Sequence, residues 1–200
     1  MTFKMTKKLC LSVCMLGLLF ASRVAPAFGQ DAPATAKTFN FRSEAIVELK
    51  AAQDEIVSLA QAMPQEKYTW RPGEGVRSVS EVYLHVAAGN FGLTAVAGAP
   101  PYPGFKFQGF EKSTTDKTKI IDLLNQSYDY AEKSIGNMSD ADMSKPLNFQ
   151  GFTTVGGVIF HLVAHNHEHL GQSIAYARMN GVVPPWTAAA QQKMQQRPPL

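Results

Sequence analysis

The five histidines of this 200-residue chain fall into two segments. One stands alone at His85, and the other four lie close together at His161, His165, His167 and His169. In a helix, residues 165 and 169 share one face, because each residue advances the helix by about 100°. Two imidazoles spaced in this way can hold one divalent cation at about 2.0–2.1 Å. The pair is therefore the first candidate for metal chemistry.

A third ligand has to come from another segment, and His85 is the histidine outside the cluster. His161 lies about 12 Å from His169 along a helix, too far for one ion to bind both. His167 faces nearly the opposite way from the pair. Three imidazoles from two helices leave one coordination position open, as in catalytic zinc sites, where bound water has a pKa lowered toward about 7.

Spacing alone leaves other interpretations open. Histidines at i,i+4 can be hydrogen-bonded core or interface residues, and such a cluster can also sense pH or bind haem. The cysteines do not decide the matter, since Cys10 and Cys14 lie near the N-terminus and no cysteine follows them. Disulfides and thiolate ligands are thereby excluded after residue 14.

The first 29 residues predict a secretory signal peptide. Three lysines precede a 12-residue apolar run that ends at Phe20, and small residues follow. The run is shorter than the about 20 residues of a membrane-spanning helix. We expect an exported protein, periplasmic or secreted, without stable membrane insertion after cleavage. Cleavage after Gly29 is favoured over cleavage after Ala27.

The net charge of +3 depends on this leader, which holds four basic residues and no acidic ones. Without these four, 15 of the 19 basic residues remain against 16 acidic ones, a net charge of −1. A chain that is not basic lacks the electrostatic footprint of a nucleic-acid-binding protein. We therefore expect no nucleic acid partner, and an unidentified small-molecule substrate instead.

Four stretches with helical apolar periodicity predict the elements that position the histidines. Their approximate bounds are 40–63, 78–97, 113–135 and 154–179. Ser78 and Glu81 have the spacing of a capping box, and the stretch 138–153 permits a short extended piece. Four helices without a convincing strand predict an all-α four-helix bundle.

The predicted bundle occupies residues 39–186. A flexible N-terminal segment, rich in alanine, proline and threonine, is expected over 30–38. A flexible, glutamine-rich C-terminal tail is expected over 187–200.

Motifs across the whole of this bundle resemble the DinB-like superfamily. HNHEHLGQ at 165–172, followed by YARMNGVVPP at 176–185, is similar to the last helix of that family. The loop and second helix of the family are resembled by WRP at 70–72, RSV at 77–79, Glu81 and His85-Val86. The matches keep the order and spacing of the family.

The resemblance implies a four-helix bundle that holds a divalent metal, zinc or nickel, through three histidines. The matching positions are His85, His165 and His169, the same three that helical spacing selects. The resemblance also implies homodimers and, in some relatives, S-transfer or isomerisation with low-molecular-weight thiols. Because those thiols belong to the cytoplasm, an exported member is expected to act on another substrate.

Four polar side chains near the predicted ligands are candidates for supporting roles. Glu81, one turn before His85, would orient that imidazole or act as a base, with helix capping as the alternative. His161, Glu168 and Gln172 would support the ligands. The alternatives are that His161 only packs in the core, that Glu168 is a solvent-exposed charge, and that Gln172 is a hydrogen-bonded core amide.

The sequence thus leaves two functions open. One is an exported metal-dependent hydrolase or transferase, and the other is a non-catalytic metal-binding or scaffold bundle. A cavity that reaches the metal site would favour the enzyme, whereas a site sealed by aromatic side chains would favour the bundle.

Overall fold

The computed structural model describes residues 38–196. Its helices are α1 Phe41–Ala62, α2 Val79–Val96, α3 Lys117–Gly136, α4 Val155–Met179 and α5 Pro185–Gln195. An antiparallel hairpin of β1 Pro146–Phe149 and β2 Phe152–Thr154 precedes α4. The predicted signal peptide and residues 30–37 lie outside the described residues. Within 38–196, no helix combines the length and apolarity needed to span a membrane.

Each of the four long helices begins at a polar residue that caps its first turn. Asn40, Asp116 and Thr154 accept hydrogen bonds from backbone N–H groups three residues later. Ser78 and Glu81 form the predicted capping box, at 3.3 Å and 2.8 Å. Because Asp116 is the cap, the third helix begins four residues later than predicted.

Helices α1 and α2 each pack against both α3 and α4, so they lie at opposite corners of the bundle. Apolar side chains fill the centre, and each stabilises the fold by about 1.5–3 kcal/mol. Among the largest fully buried ones are Leu49, Ile56, Leu84, Phe91, Leu124 and Ile135. This architecture confirms the predicted all-α four-helix bundle. It also places the two histidine-bearing helices, α2 and α4, side by side.

A buried polar cluster, here called the asparagine network, joins α2, α3 and α4. The Asn166 amide nitrogen donates to Asn90 Oδ1 and to the Leu162 carbonyl, both at 2.8 Å. Its oxygen accepts from the Tyr128 hydroxyl at 2.6 Å, and Asn90 donates to Ser127 at 3.1 Å. Because buried amides are costly unless hydrogen-bonded, the network fixes the register of the three helices.

The C-terminal segment differs from the prediction. A flexible tail is expected over 187–200, whereas α5 extends to Gln195 and packs against α1. Residues 197–200 lie outside the described residues. Pro185 suits the first turn of a helix, and the alanines and glutamines that follow have high helix propensity. Trp186 packs against the core and holds the start of the helix in place.

Candidate metal centre

Three histidines from two helices converge where α2 meets α4. His85 on α2 and His165 and His169 on α4 each offer one ring nitrogen, and these atoms lie within 4.8 Å of one another. The Nε2 atoms of His85 and His165 are 3.0 Å apart. The three ring centroids are separated by 4.5 to 4.9 Å. The structure thus brings together the three predicted ligands, and the cluster could bind a metal ion.

Gly89 provides the space that His165 occupies. A Cβ atom at position 89 would lie 2.4 Å from Cε1 of the His165 ring, a distance that real Cβ atoms do not adopt. A glycine one turn after His85 therefore lets the ring lie against the backbone of α2. The role of Gly89 was not predicted, although a glycine inside a helix can have a packing or functional reason.

Glu111 orients His85. Its carboxylate accepts from Nδ1 of His85 at 2.6 Å, so Nδ1 carries the proton and Nε2 keeps its lone pair for a metal. Two hydrogen bonds from Arg77, at 2.7 and 3.2 Å, hold the carboxylate in turn. Burial alone would raise the pKa of Glu111, but the bonds from Arg77 and His85 outweigh it and lower the pKa. Such a carboxylate is the usual partner of a metal-binding histidine.

Glu81 takes the helix-capping role, which the sequence left open beside orienting His85 or acting as a base. Its carboxylate accepts from the Ser78 backbone at 2.8 Å and pairs with Arg71 at 3.2 Å. The Ser78 bond, which outweighs burial, holds the pKa of Glu81 below its ordinary value. Side chains in the first turn of a helix point back toward its N-terminus, so this carboxylate serves the cap and not His85.

Gln172 fixes His169 from the other side. Its Oε1 accepts from Nδ1 of His169 at 2.8 Å, so His169 also keeps a lone pair on Nε2. The Gln172 amide donates to the Tyr176 hydroxyl at 3.1 Å, which donates to the Arg77 carbonyl at 3.2 Å. Gln172 therefore lies where a supporting residue was predicted. Tyr176 and Arg77, which link both sides of the cluster, were not predicted to do so.

The remaining predicted residues lie further from the ligand nitrogens. The His161 ring stacks on Phe152, with centroids 4.8 Å apart, and lies 6.3 Å from the His165 ring. Glu168 is exposed and acts on His169 only through its charge. His167 faces away and lies 3.1 Å from Glu48 of α1.

Burial favours the neutral forms of His165 and His169. Burial, then repulsion from His169 and His85, lowers the pKa of His165 to about 3. Burial also lowers the pKa of His169, against the opposing bond from Gln172. Nδ1 of His165 is buried without a hydrogen-bond partner in residues 38–196. Three imidazole nitrogens are a donor set that fits zinc or nickel.

A cavity of about 420 Å³ opens beside His85 and His165. Small residues of α2 form its floor. Phe107, between α2 and α3, and Phe149, at the end of β1, contribute walls. His161 also lines it. A larger cavity of about 500 Å³, near Gly98 and Lys145, contains no histidine. The histidine cluster is therefore bordered on one side by a cavity and not sealed by aromatic rings.

Known proteins place the chain in a family. Residues 48–173 match the model of the DinB superfamily. A DinB-like protein from Bacillus cereus ATCC 10987 aligns with a TM-score of 0.60 at 16% identity, over 72% of this chain and 93% of that chain. A conserved protein from Enterococcus faecalis aligns with a TM-score of 0.55 at 13% identity, over 70% and 97% respectively.

At these identities, the structural similarity shows the fold alone. A search of the curated proteins found no significant match. The family match is the stronger finding, because it covers more than half of the sequence and includes all three ligand candidates. The chain therefore belongs to the DinB superfamily.

Proposed function

We propose that this protein is an exported metal-dependent hydrolase or transferase that binds zinc or nickel through His85, His165 and His169. One observation carries the proposal: the three ligand nitrogens lie within 4.8 Å of one another, and two of the three histidines, His85 and His165, line a cavity of about 420 Å³. Ligand pockets of enzymes commonly have this size. The bound cation would supply Lewis acidity toward a polar group of the substrate.

The residues around the cluster hold the ligands in place. Glu111 fixes His85 and Gln172 fixes His169, each through the Nδ1 proton. Arg77 connects the two supports, since its guanidinium binds Glu111 and its carbonyl accepts from Tyr176. Because the supports determine which nitrogen keeps a lone pair, they prepare the site for a cation before it binds.

We propose His161, and not Glu81, as the group that transfers protons. It lines the same cavity as two of the ligand candidates, and the stacked Phe152 ring holds its orientation. Imidazole is the side chain most often used for general acid–base catalysis, which contributes about 10²–10⁴-fold to a rate.

Turnover by the metal-loaded protein tests the proposal. Zinc- and nickel-loaded protein is screened on ester, amide and phosphoester substrates, and we expect activity that His165→Ala abolishes. His161→Ala should keep its metal while kcat falls by about 10²-fold or more. His167→Ala is the control, because His167 faces Glu48 and not the cavity. If no substrate turns over and metal removal lowers only the melting temperature, the chain is a non-catalytic metal-binding bundle.

Export has its own test. The proposal that the chain is exported is supported by the basic, then apolar, then small-residue composition of residues 1–29. N-terminal sequencing of protein recovered from the periplasm or medium should begin at Gln30. A cytoplasmic chain that retains Met1 would contradict export without affecting the metal site.

A further inference from the structure

We infer that the substrate has an uncharged, apolar body, which the cavity binds between Phe107 and Phe149 while a polar head faces His85 and His165. This inference rests on the proposed function and adds the chemical class of the substrate. Four observations on the cavity support it: the charge of its walls, the two aromatic rings, its floor, and the strained turn that carries one of the rings.

The cavity walls offer no partner for a charged body. Among residues 38–196, no lysine, arginine, aspartate or glutamate lines the cavity. Its polar side chains are those of His85, His161, His165 and Gln150. Burying an unpaired charge is strongly unfavourable. Burying an apolar body is favourable, because it removes apolar surface of both the ligand and the cavity from water. The walls therefore select against anionic and cationic bodies.

Two aromatic rings from distant parts of the chain border the cavity. Phe107, in the connection between α2 and α3, is 63% exposed and lies edge-on to Phe105 with centroids 6.4 Å apart. Phe149, at the end of β1, is half-buried and packs against the core. Aromatic rings bury a large apolar area with little loss of side-chain freedom, which suits them to hold a flat or apolar ligand.

The floor between these rings is formed by small residues of α2. Ala88, Gly89 and Gly92 all line the cavity. A Cβ atom at position 92 would only reach ordinary contact, 3.9 Å from the Phe107 ring. The small side chains therefore leave room for a ligand body that extends from Phe107 toward His165.

The turn after Phe149 is strained. Gln150 has φ 48°, and Gly151 has φ 90°, as a two-residue hairpin turn requires. Glutamine is a poor residue for this left-handed conformation, which asparagine or glycine adopts more readily. Backbone strain of this kind persists chiefly at functional sites. Because Gln150 lines the cavity, its amide is placed to bind a polar atom of the substrate.

Three hydroxamates separate the body of a ligand from its metal-binding head. Acetohydroxamate has a methyl body, benzohydroxamate an uncharged ring, and 4-carboxybenzohydroxamate a charged ring. Calorimetry on zinc-loaded protein should give benzohydroxamate at least tenfold tighter binding than acetohydroxamate, which corresponds to about 1.4 kcal/mol. The carboxylate should cancel this gain. Equal affinities for all three would overturn the inference.

Two variants test which residues provide the tighter binding of the benzohydroxamate ring. Phe107→Ala and Phe149→Ala should reduce the gain from the ring to threefold or less, and leave zinc content and acetohydroxamate affinity unchanged. Phe160→Ala is the matched control, because Phe160 is 64% exposed and lies in a different surface depression. A gain that survives both cavity variants would overturn the inference.

Indole separates a failure of this inference from a failure of the proposed function. It is uncharged and has no strong metal-binding group, so its binding does not require zinc. In saturation-transfer NMR on the metal-free chain, we expect an indole signal that Phe107→Ala loses and Phe160→Ala keeps. No indole signal would overturn the inference. Indole binding by a chain that takes up no zinc would support the inference and overturn only the proposed metal site.

Discussion

Two polar clusters lie next to each other at the contact between α2 and α4, and they differ in how their hydrogen bonds are satisfied. Asn90 and Asn166 directly follow Gly89 and His165 in the sequence, and their amides are buried and hydrogen-bonded. The histidine cluster borders a cavity, and Nδ1 of His165 has no partner among the described residues. The asparagine network, whose amides are hydrogen-bonded, fixes the helices, whereas the histidine cluster keeps that unpaired nitrogen and is left for a ligand.

Breaking the asparagine network should have the largest effect on the fold. Asn166→Leu removes three hydrogen bonds and leaves buried partners on Asn90 and Tyr128 unsatisfied. We expect the free energy of unfolding in urea to fall by about 3 kcal/mol. Asn125→Leu, which loses a single half-buried bond to Gln53, should cost about 0.5 kcal/mol. Equal effects of the two would contradict a special role for the network.

Filling the space beside His165 should damage the metal site more than the fold. Gly89→Ala places a Cβ 2.4 Å from the imidazole and forces the ring away from the other ligands. We expect zinc affinity, measured by competition with a chelator, to fall at least 100-fold, or about 2.7 kcal/mol. Gly92→Ala has room for its Cβ and should keep its affinity, with stability raised by up to about 1 kcal/mol. Equal affinities of the two variants would contradict the geometry.

Glu111→Gln tests the partner of His85 without removing a ligand. The amide keeps an acceptor for Nδ1 but loses the charge that Arg77 and His85 share. Changes of this kind typically reduce metal affinity 10–100-fold. Glu48→Gln is the matched control, because Glu48 pairs with His167 away from the cluster. A drop in zinc affinity for both variants would show that the effect is not specific to the site.

The metal-free protein should lose stability as the pH falls below about 6.5. Burial lowers the pKa of His165 to about 3, so between these values the unfolded chain binds a proton that the folded chain does not. The contribution of His165 is therefore present above pH 6.5 and declines by at most about 1.4 kcal/mol per pH unit. Free energies of unfolding measured in urea at pH 5.0 to 6.5 should depend less steeply on pH for His165→Gln than for the wild type. If the mutation left this pH dependence unchanged, the neutral state of the partly buried His165 would be contradicted.

Features that depend on neighbouring residues could be predicted from the sequence. Helical periodicity gave the four long helices, and the Ser78–Glu81 spacing gave the capping box of α2. The spacing of His165 and His169 placed two ring nitrogens on one face, because the helix itself imposes that geometry.

Features that depend on the path of a loop, or on the packing of distant residues, could not. Glu111 lies 26 residues from His85 and reaches it only through the connection between α2 and α3. Asn90 and Asn166 are 76 positions apart, and neither carries a local signal of the bond between them. Helical spacing places Glu81 on the same face as His85, but its carboxylate binds the Ser78 backbone N–H in the helix cap instead.

Metal content of the purified protein tests the central claim most directly. Elemental analysis should find about one zinc or nickel ion per wild-type chain, and close to none in His85→Ala or His169→Ala. His167→Ala should retain the ion, since His167 faces away from the cluster. A wild-type chain without bound metal, or one whose metal content survives His85→Ala, would contradict the proposal that α2 and α4 hold one cation between them.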